Sequence, residues 1–165
     1  MQQGPEQVGV SCSIEQGCLV GVCGRPGSGK ATLLKLIGQV LAPDEGSIFI
    51  PPHLRTLHAP LTMEILDDTI ANNLFFGVRS RKEARYAKDL KKHILDRGWR
   101  ICERLKFPAR LMSLAQDLTT DTSEMIGTLS QSDRKLIQLA RAFIFDPEIL
   151  VIHSPTIFLP DDEQR

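Results

Sequence analysis

The stretch GRPGSGKATLL, Gly24 to Leu34, decides how the rest of the chain is read. Gly24, Gly27 and Gly29 let a backbone bend tightly enough for successive N–H groups to converge on one anion. Lys30 adds a positive charge. The spacing of Leu33, Leu34, Ile37, Val40 and Leu41 predicts a helix over 31–41, whose N-terminus favours negative charge. Upstream, CLVGVCG, residues 18–24, is a short apolar run that reads as a buried strand. Strand, glycine loop and helix thus stand in the order that a phosphate cradle requires. The candidate phosphate-binding residues are Gly24, Arg25, Pro26, Gly27, Ser28, Gly29, Lys30, Ala31 and Thr32. One position breaks the pattern. The residue after the lysine ordinarily gives a hydroxyl to Mg²⁺, and here it is Ala31, whose methyl group binds no metal. Thr32 lies about 100° further round the helix and points elsewhere. Lys30 itself has two readings, a phosphate contact or a plain surface lysine.

Composition sets the frame around this loop. The 165 residues fit one domain, with 42% apolar residues to build a core and 24% charged residues. Lys plus Arg equals Asp plus Glu at 20 each, and the zero net charge argues against nucleic acid as the main partner. No apolar run approaches the roughly 20 residues of a membrane span. The N-terminus lacks a basic-then-apolar signal pattern, so service to a membrane is expected from the cytosolic side. Cys12, Cys18, Cys23 and Cys102 form no CxxC pair and are expected to be buried reduced thiols, with a disulfide or zinc role as the alternative.

Farther along, residues 10–16 and SIFI, 47–50, are candidate strands, and 54–78 shows no regular pattern. From Ser80 to Lys106 a helical pattern places Leu90, Ile94, Ile101 and Leu105 on one face, with Gly98 a candidate break between two helices. This region is basic: Arg79, Arg81, Lys82, Arg85, Lys88, Lys91, Lys92, Arg97, Arg100, Arg104, Lys106 and Arg110 outnumber its acids. It reads either as a solvated helical face or as a surface for an acidic partner or lipid headgroups. Ser130 and Asp133 have capping-box spacing, with Leu136, Ile137, Ala140, Phe143 and Ile144 as the apolar face of the helix that follows. Asp146-Pro147 ends that helix, and EILVI, 148–152, is a second buried strand.

The stretch LSQSDRKLIQLARAFIFDPEILVIHSPT, 129–156, resembles the signature and Walker B region of ABC ATPases. Leu129, Ser130, Arg134, Leu139, Ala140, Arg141, Ala142, Pro147, Ile149, Leu150, Pro155 and Thr156 match that pattern. DTIANNLFFG, 68–77, resembles the segment after the Q-loop in exporter-type members, and EGSIFI, 45–50, the turn and strand after the first helix. The resemblance implies an α/β fold of the P-loop NTPase type, a three-layer sandwich with a helical subdomain. It implies a single domain over 1–165, with a P-loop core part in 1–60, the helical subdomain in about 70–130, and the signature helix and Walker B strand in 131–165. The implied ligand is ATP. The implied partners are a second nucleotide-binding domain and the transmembrane domains of a transporter, at the cytoplasmic face of a membrane. Leu129, Ser130, Gln131 and Ser132 would then approach ATP across a dimer; for Ser130, simple helix capping is the alternative.

Set on the same pattern, the chain departs from it where hydrolysis is carried out. His153 stands at the Walker B aspartate and Ser154 at the catalytic glutamate. Gln131, Ser132 and Asp133 replace the two glycines and the glutamine of the signature. His58 or Leu61 falls nearest the Q-loop glutamine, Pro160 holds the D-loop aspartate position, and the switch histidine would lie beyond Arg165. No aromatic residue precedes Gly17 to stack on adenine. Ala31 and His153 together remove a hydroxyl and a carboxylate from the metal, and Ser154 removes the base. An imidazole suits Zn²⁺ or Mn²⁺ better than Mg²⁺, so His153 reads as a strand-end residue or as a ligand for a softer metal. Weak, metal-insensitive ATP binding with negligible turnover is expected. The alternatives are a non-catalytic interaction or regulatory module, and a soluble ABC relative. The fold's strands after Walker B are expected to be missing, which would leave a gap in the sheet and a marginally stable chain.

Overall fold

The computed structural model describes residues 9–78, 87–117 and 127–159. The chain divides into two compact units, Met1–Lys30 and Ala31–Arg165. Its elements in chain order are α1 (Lys30–Ile37), β1 (Thr56–Ala59), α2 (Ile70–Leu74), α3 (Ala87–Arg104), α4 (Ala109–Gln116), α5 (Gln131–Phe145) and β2 (Ile149–Ile152).

In the first unit, residues 10–16 and 18–24 form no strand, contrary to expectation. Apolar content makes a strand only where a neighbour accepts its backbone hydrogen bonds. None of the described strands pairs with this stretch. Leu19 and Val20 therefore face solvent, and Cys12, Cys18 and Cys23 are exposed rather than buried. SIFI, 47–50, in the second unit, also forms no strand with any of the described residues.

In the second unit, α1 stops at Ile37, four residues short of the predicted end. Gln39 takes a left-handed φ of 57°, its N–H donates to Leu36 O at 3.1 Å, and Val40 N–H donates to Lys35 O at 2.8 Å. Two such bonds close a helix by satisfying its last carbonyls.

Among the described residues the sheet is two-stranded and parallel, with Thr56 opposite Ile149 and Ala59 opposite Ile152. β2 is the strand expected at 148–152. β1 lay in the stretch without a pattern: Thr-Leu-His-Ala is too short and too polar to announce itself. Tertiary pairing makes it a strand. Arg55 anchors the start of the pair. Its Nε lies 3.0 Å from Glu148 Oε2, its backbone N–H donates to the same oxygen at 2.8 Å, and Nη2 also reaches Asp146 O.

α5 packs on α3, α2 and β1. It is buried on more than one side, so Leu139 and Ala142 are core residues beside Leu136, Ile137, Ala140 and Ile144. Phe143, expected inside, is exposed. Asp146 takes a left-handed φ of 56° and ends α5 as expected. α3 runs unbroken through Gly98. The glycine there admits the ring of Phe75, whose Cζ would sit 2.5 Å from an added Cβ, and Phe75 meets Trp99 edge-on at 5.4 Å. Ile94, Ile101 and Leu105 turn inward with Cys102, which is fully buried. The Leu90 side chain, Arg79, Arg81, Lys82, Arg85, the Lys88 and Lys91 side chains, and Pro160 lie outside the described residues. Lys92, Arg100 and Arg104 are exposed beside Asp96 and Glu103, and Arg97 pairs with Asp146 at 2.7 Å.

Asn73 ties α2 to α5. Its buried amide donates to Leu66 O, Asp68 O and Thr69 O, while Oδ1 accepts from Leu66 N at 2.8 Å and from Arg141 Nη2 at 2.8 Å. A buried amide is tolerable in a core only when satisfied in this way.

Candidate functional site

The glycine loop is curled. Gly27 and Gly29 have φ of 79° and 84°, values that L side chains rarely adopt, and Ser28 N–H donates to Arg25 O at 3.2 Å across the turn. An added Cβ at Gly24 would lie 3.0 Å from Ser28 Oγ. Lys30 is the first residue of α1, and its ammonium folds back over the loop. It donates to Gly24 O at 2.8 Å, to Arg25 O at 2.7 Å and to Ser28 Oγ at 3.5 Å. The ammonium is thus held at the loop by the loop's own carbonyls. Arg25, Pro26, Gly27, Ser28 and Gly29 are exposed. Ala31 is half-buried in the first turn of α1 and Thr32 is exposed.

At the other motif, Ser130 caps α5. Its Oγ accepts from Asp133 N–H at 3.1 Å and donates to Asp133 Oδ2 at 2.8 Å, and its N–H donates to the same carboxylate oxygen at 3.0 Å. Arg110 of α4 adds a fourth contact, Nη2 to Asp133 Oδ2 at 2.7 Å. A hydroxyl has a single proton, and Ser130 spends it on Asp133. Ser132 Oγ donates to Phe158 O at 2.5 Å. Leu129 is buried, and with Gln131, Arg134, Phe158, Leu61, Thr62 and Met63 it lines an open groove of about 570 Å³.

His153 continues the ladder of β2, its N–H donating to Ala59 O at 3.0 Å. Ser154 follows with a left-handed φ of 49° and is exposed. Beneath this end lies Lys135, which is fully buried. Its ammonium donates to Gln138 Oε1 at 3.0 Å and to His153 O at 3.5 Å, and desolvation lowers its pKa. Gln138 Nε2 in turn donates to Pro60 O at 2.8 Å and Thr62 O at 3.1 Å, so one chain of hydrogen bonds joins the ends of both strands. Among the described residues, no three His, Cys, Asp or Glu side chains gather to hold a metal ion.

Lys135, Gln138, Asn73 and the Arg55–Glu148 pair were not legible as functional or structural anchors in the sequence. Arg110 was visible only as one cation of a basic stretch. Each acquires its role from a partner about 20 to 90 residues away or from burial, and neither has a local signature.

Residues 8–157 match the family model described as ABC transporter. The chain is 31% identical over 166 residues to a probable ABC transporter ATP-binding/permease protein of Haemophilus influenzae, covering 93% of this chain and 28% of that protein. It is 27% identical over 168 residues to a ribose import ATP-binding protein of Pseudomonas putida, covering 94% of this chain and 30% of the relative. An ATP-dependent lipid A-core flippase of Bordetella avium is 28% identical over 167 residues, covering 94% and 26%. The chain therefore spans less than a third of the length of these relatives. With residues 8–157 under one family model, the chain belongs to the ABC transporter family, as an ATP-binding domain of the P-loop NTPase type.

Proposed function

We propose that this chain binds ATP through Gly24, Arg25, Pro26, Gly27, Ser28, Gly29, Lys30, Ala31 and Thr32, without dependence on Mg²⁺, and hydrolyses it negligibly. The observation that carries the binding half is the curled loop with the Lys30 ammonium at its carbonyls. An incoming phosphate offers that ammonium a charged acceptor in place of neutral ones, a stronger hydrogen bond. Backbone N–H groups of the loop and the start of α1 supply the rest of the field.

Mg²⁺ does not fit the donors present. Ala31 offers a methyl group, His153 an imidazole and Ser154 a neutral hydroxyl, while Mg²⁺ is held by hard oxygen ligands, commonly carboxylates. No metal-assisted step is derived for this copy. Absence of a carboxylate base alone removes on the order of 10²–10⁴ in rate. The signature residues are engaged within the chain: Ser130 with Asp133, and Ser132 with Phe158. Across a dimer, Leu129 and Gln131 would present side chains rather than bare backbone to a partner's nucleotide.

The same reading places the chain at the cytoplasmic face of a membrane, working with transmembrane domains and a second nucleotide-binding domain, and not on nucleic acid. Its three parts, 1–60, about 70–130 and 131–165, would serve as core, helical subdomain and signature-to-Walker B segment of one domain. None of the described helices is long and apolar enough to cross a membrane. Titration with a fluorescent ATP analogue, with and without chelator, tests the reading. Binding should survive chelation and fall at least about tenfold in Lys30→Ala, the equivalent of about 1.4 kcal/mol. Lys30-dependent phosphate release, or binding abolished by chelator, would sink it.

A further inference from the structure

Among the described residues, the buried side-chain polar atoms without a hydrogen-bond partner lie on one face of β1. His58 Nε2 is buried without a hydrogen-bond partner, as is Thr56 Oγ1 two residues earlier on the same side of the strand. The ring of His58 is pressed against the end of α1. A Cβ at Gly38 would lie 2.8 Å from His58 Cβ and 3.0 Å from His58 Cδ2, so a glycine at 38 is what lets the helix end approach. His58 stands opposite Val151 in the parallel register, and His153 follows Val151 by two residues, which projects both imidazoles from the same face. The groups that face His58 are Lys35 of α1 and His153 beyond β2. From α5, on which β1 also packs, Lys135 reaches the His153 carbonyl at 3.5 Å. Every one of these neighbours is a basic side chain.

We propose that the contact between α1 and β1 is an acid-sensitive latch, held shut by neutral His58 and opened when that ring gains a proton. A protonated ring would bury an N–H donor beside Lys35 and His153, with no acceptor for it and like charge around it. Burial first, and the neighbouring His153 and Lys35 second, hold the His58 pKa below its ordinary 6.5. Neutral His58 is therefore the folded form. The unfolded chain takes up the proton more readily, so the contribution to stability is complete above 6.5 and is lost as pH falls below it. The latch involves no nucleotide, and its behaviour is independent of whether the glycine loop binds ATP.

Hydrogen–deuterium exchange on the full chain tests it, with rates corrected for the intrinsic effect of pH. Between about pH 7.5 and about pH 5.5, the span in which histidine titrates, protection in α1 and β1 should fall several-fold relative to α5. In His58→Gln, which cannot gain a charge, the ratio should stay flat. Lys35→Glu changes an exposed residue and sets a carboxylate beside the ring, and it should blunt the acid response if the glutamine variant does not fold. A wild-type ratio that does not change with pH would overturn the latch, as would an undiminished acid response in the variants.

Discussion

At the scale of single residues, identity matters less than what each side chain is made to face. Glu148 is an ordinary surface carboxylate in the sequence. In the fold, the Arg55 guanidinium and backbone N–H both donate to it and hold its pKa down at about 2. The folded value is depressed from 4.5, so the stabilisation is present above that pH and is lost as pH falls toward about 2. The difference in urea midpoint between wild type and Glu148→Gln should therefore be widest above pH 4.5 and close as pH approaches 2. A constant difference across that range would contradict the assignment. Ser130 and Asp133 teach a related lesson. Their spacing announced a capping box, and both halves of the box are present. What spacing left open was the fourth contact, from Arg110, which draws α4 to the start of α5.

At the scale of elements, the long amphipathic helices α3 and α5 were legible, as was α1 with a later end, while the short helices α2 and α4 were not. α3 and α5 carry apolar residues at helical spacing over four to five turns, a signal that survives local exceptions. α2, with five residues, has too little length for periodicity, and its helical form depends on the Thr69 cap and on Asn73 being enclosed by Arg141. Gly98 shows how a composition rule misleads. Glycine weakens a helix by about 1 kcal/mol relative to alanine, which made a break the reasonable expectation. Here the missing side chain is the room that Phe75 occupies. Gly98→Ala should thus destabilise the protein by about 1–3 kcal/mol despite its better helix propensity, read as a lower urea midpoint. Adding Phe75→Leu should recover part of the loss. A more stable Gly98→Ala variant would show that the ring moves aside at no cost.

At the scale of the whole molecule, burial is uneven between the two units. Ile70, Leu74, Cys102, Leu111, Ile137 and Ala140 belong to one core cluster in the Ala31–Arg165 unit. The described part of the Met1–Lys30 unit places its apolar residues Val10, Ile14, Leu19, Val20 and Val22 in solvent. Thiol chemistry reports this contrast directly. Cys12, Cys18 and Cys23 are exposed and should react with a thiol reagent in the folded protein, whereas Cys102 is buried, with desolvation raising its pKa to about 12. Counting modified thiols before and after adding denaturant should give three and then four. Four fast thiols in native buffer would mean that the core around α3 opens readily.

The sequence by itself determined the family, the curled glycine loop, the capped helix at 131–145 and the strand at 149–152, because each is written in residues adjacent along the chain. The tertiary structure alone decided that Thr56–Ala59 is a strand while residues 18–24 are not, that Gly98 is a packing site, that Lys135 is buried, and that His58 sits beside Lys35 and His153. Those outcomes depend on backbone pairing and desolvation between segments far apart in sequence, and local periodicity carries no record of either.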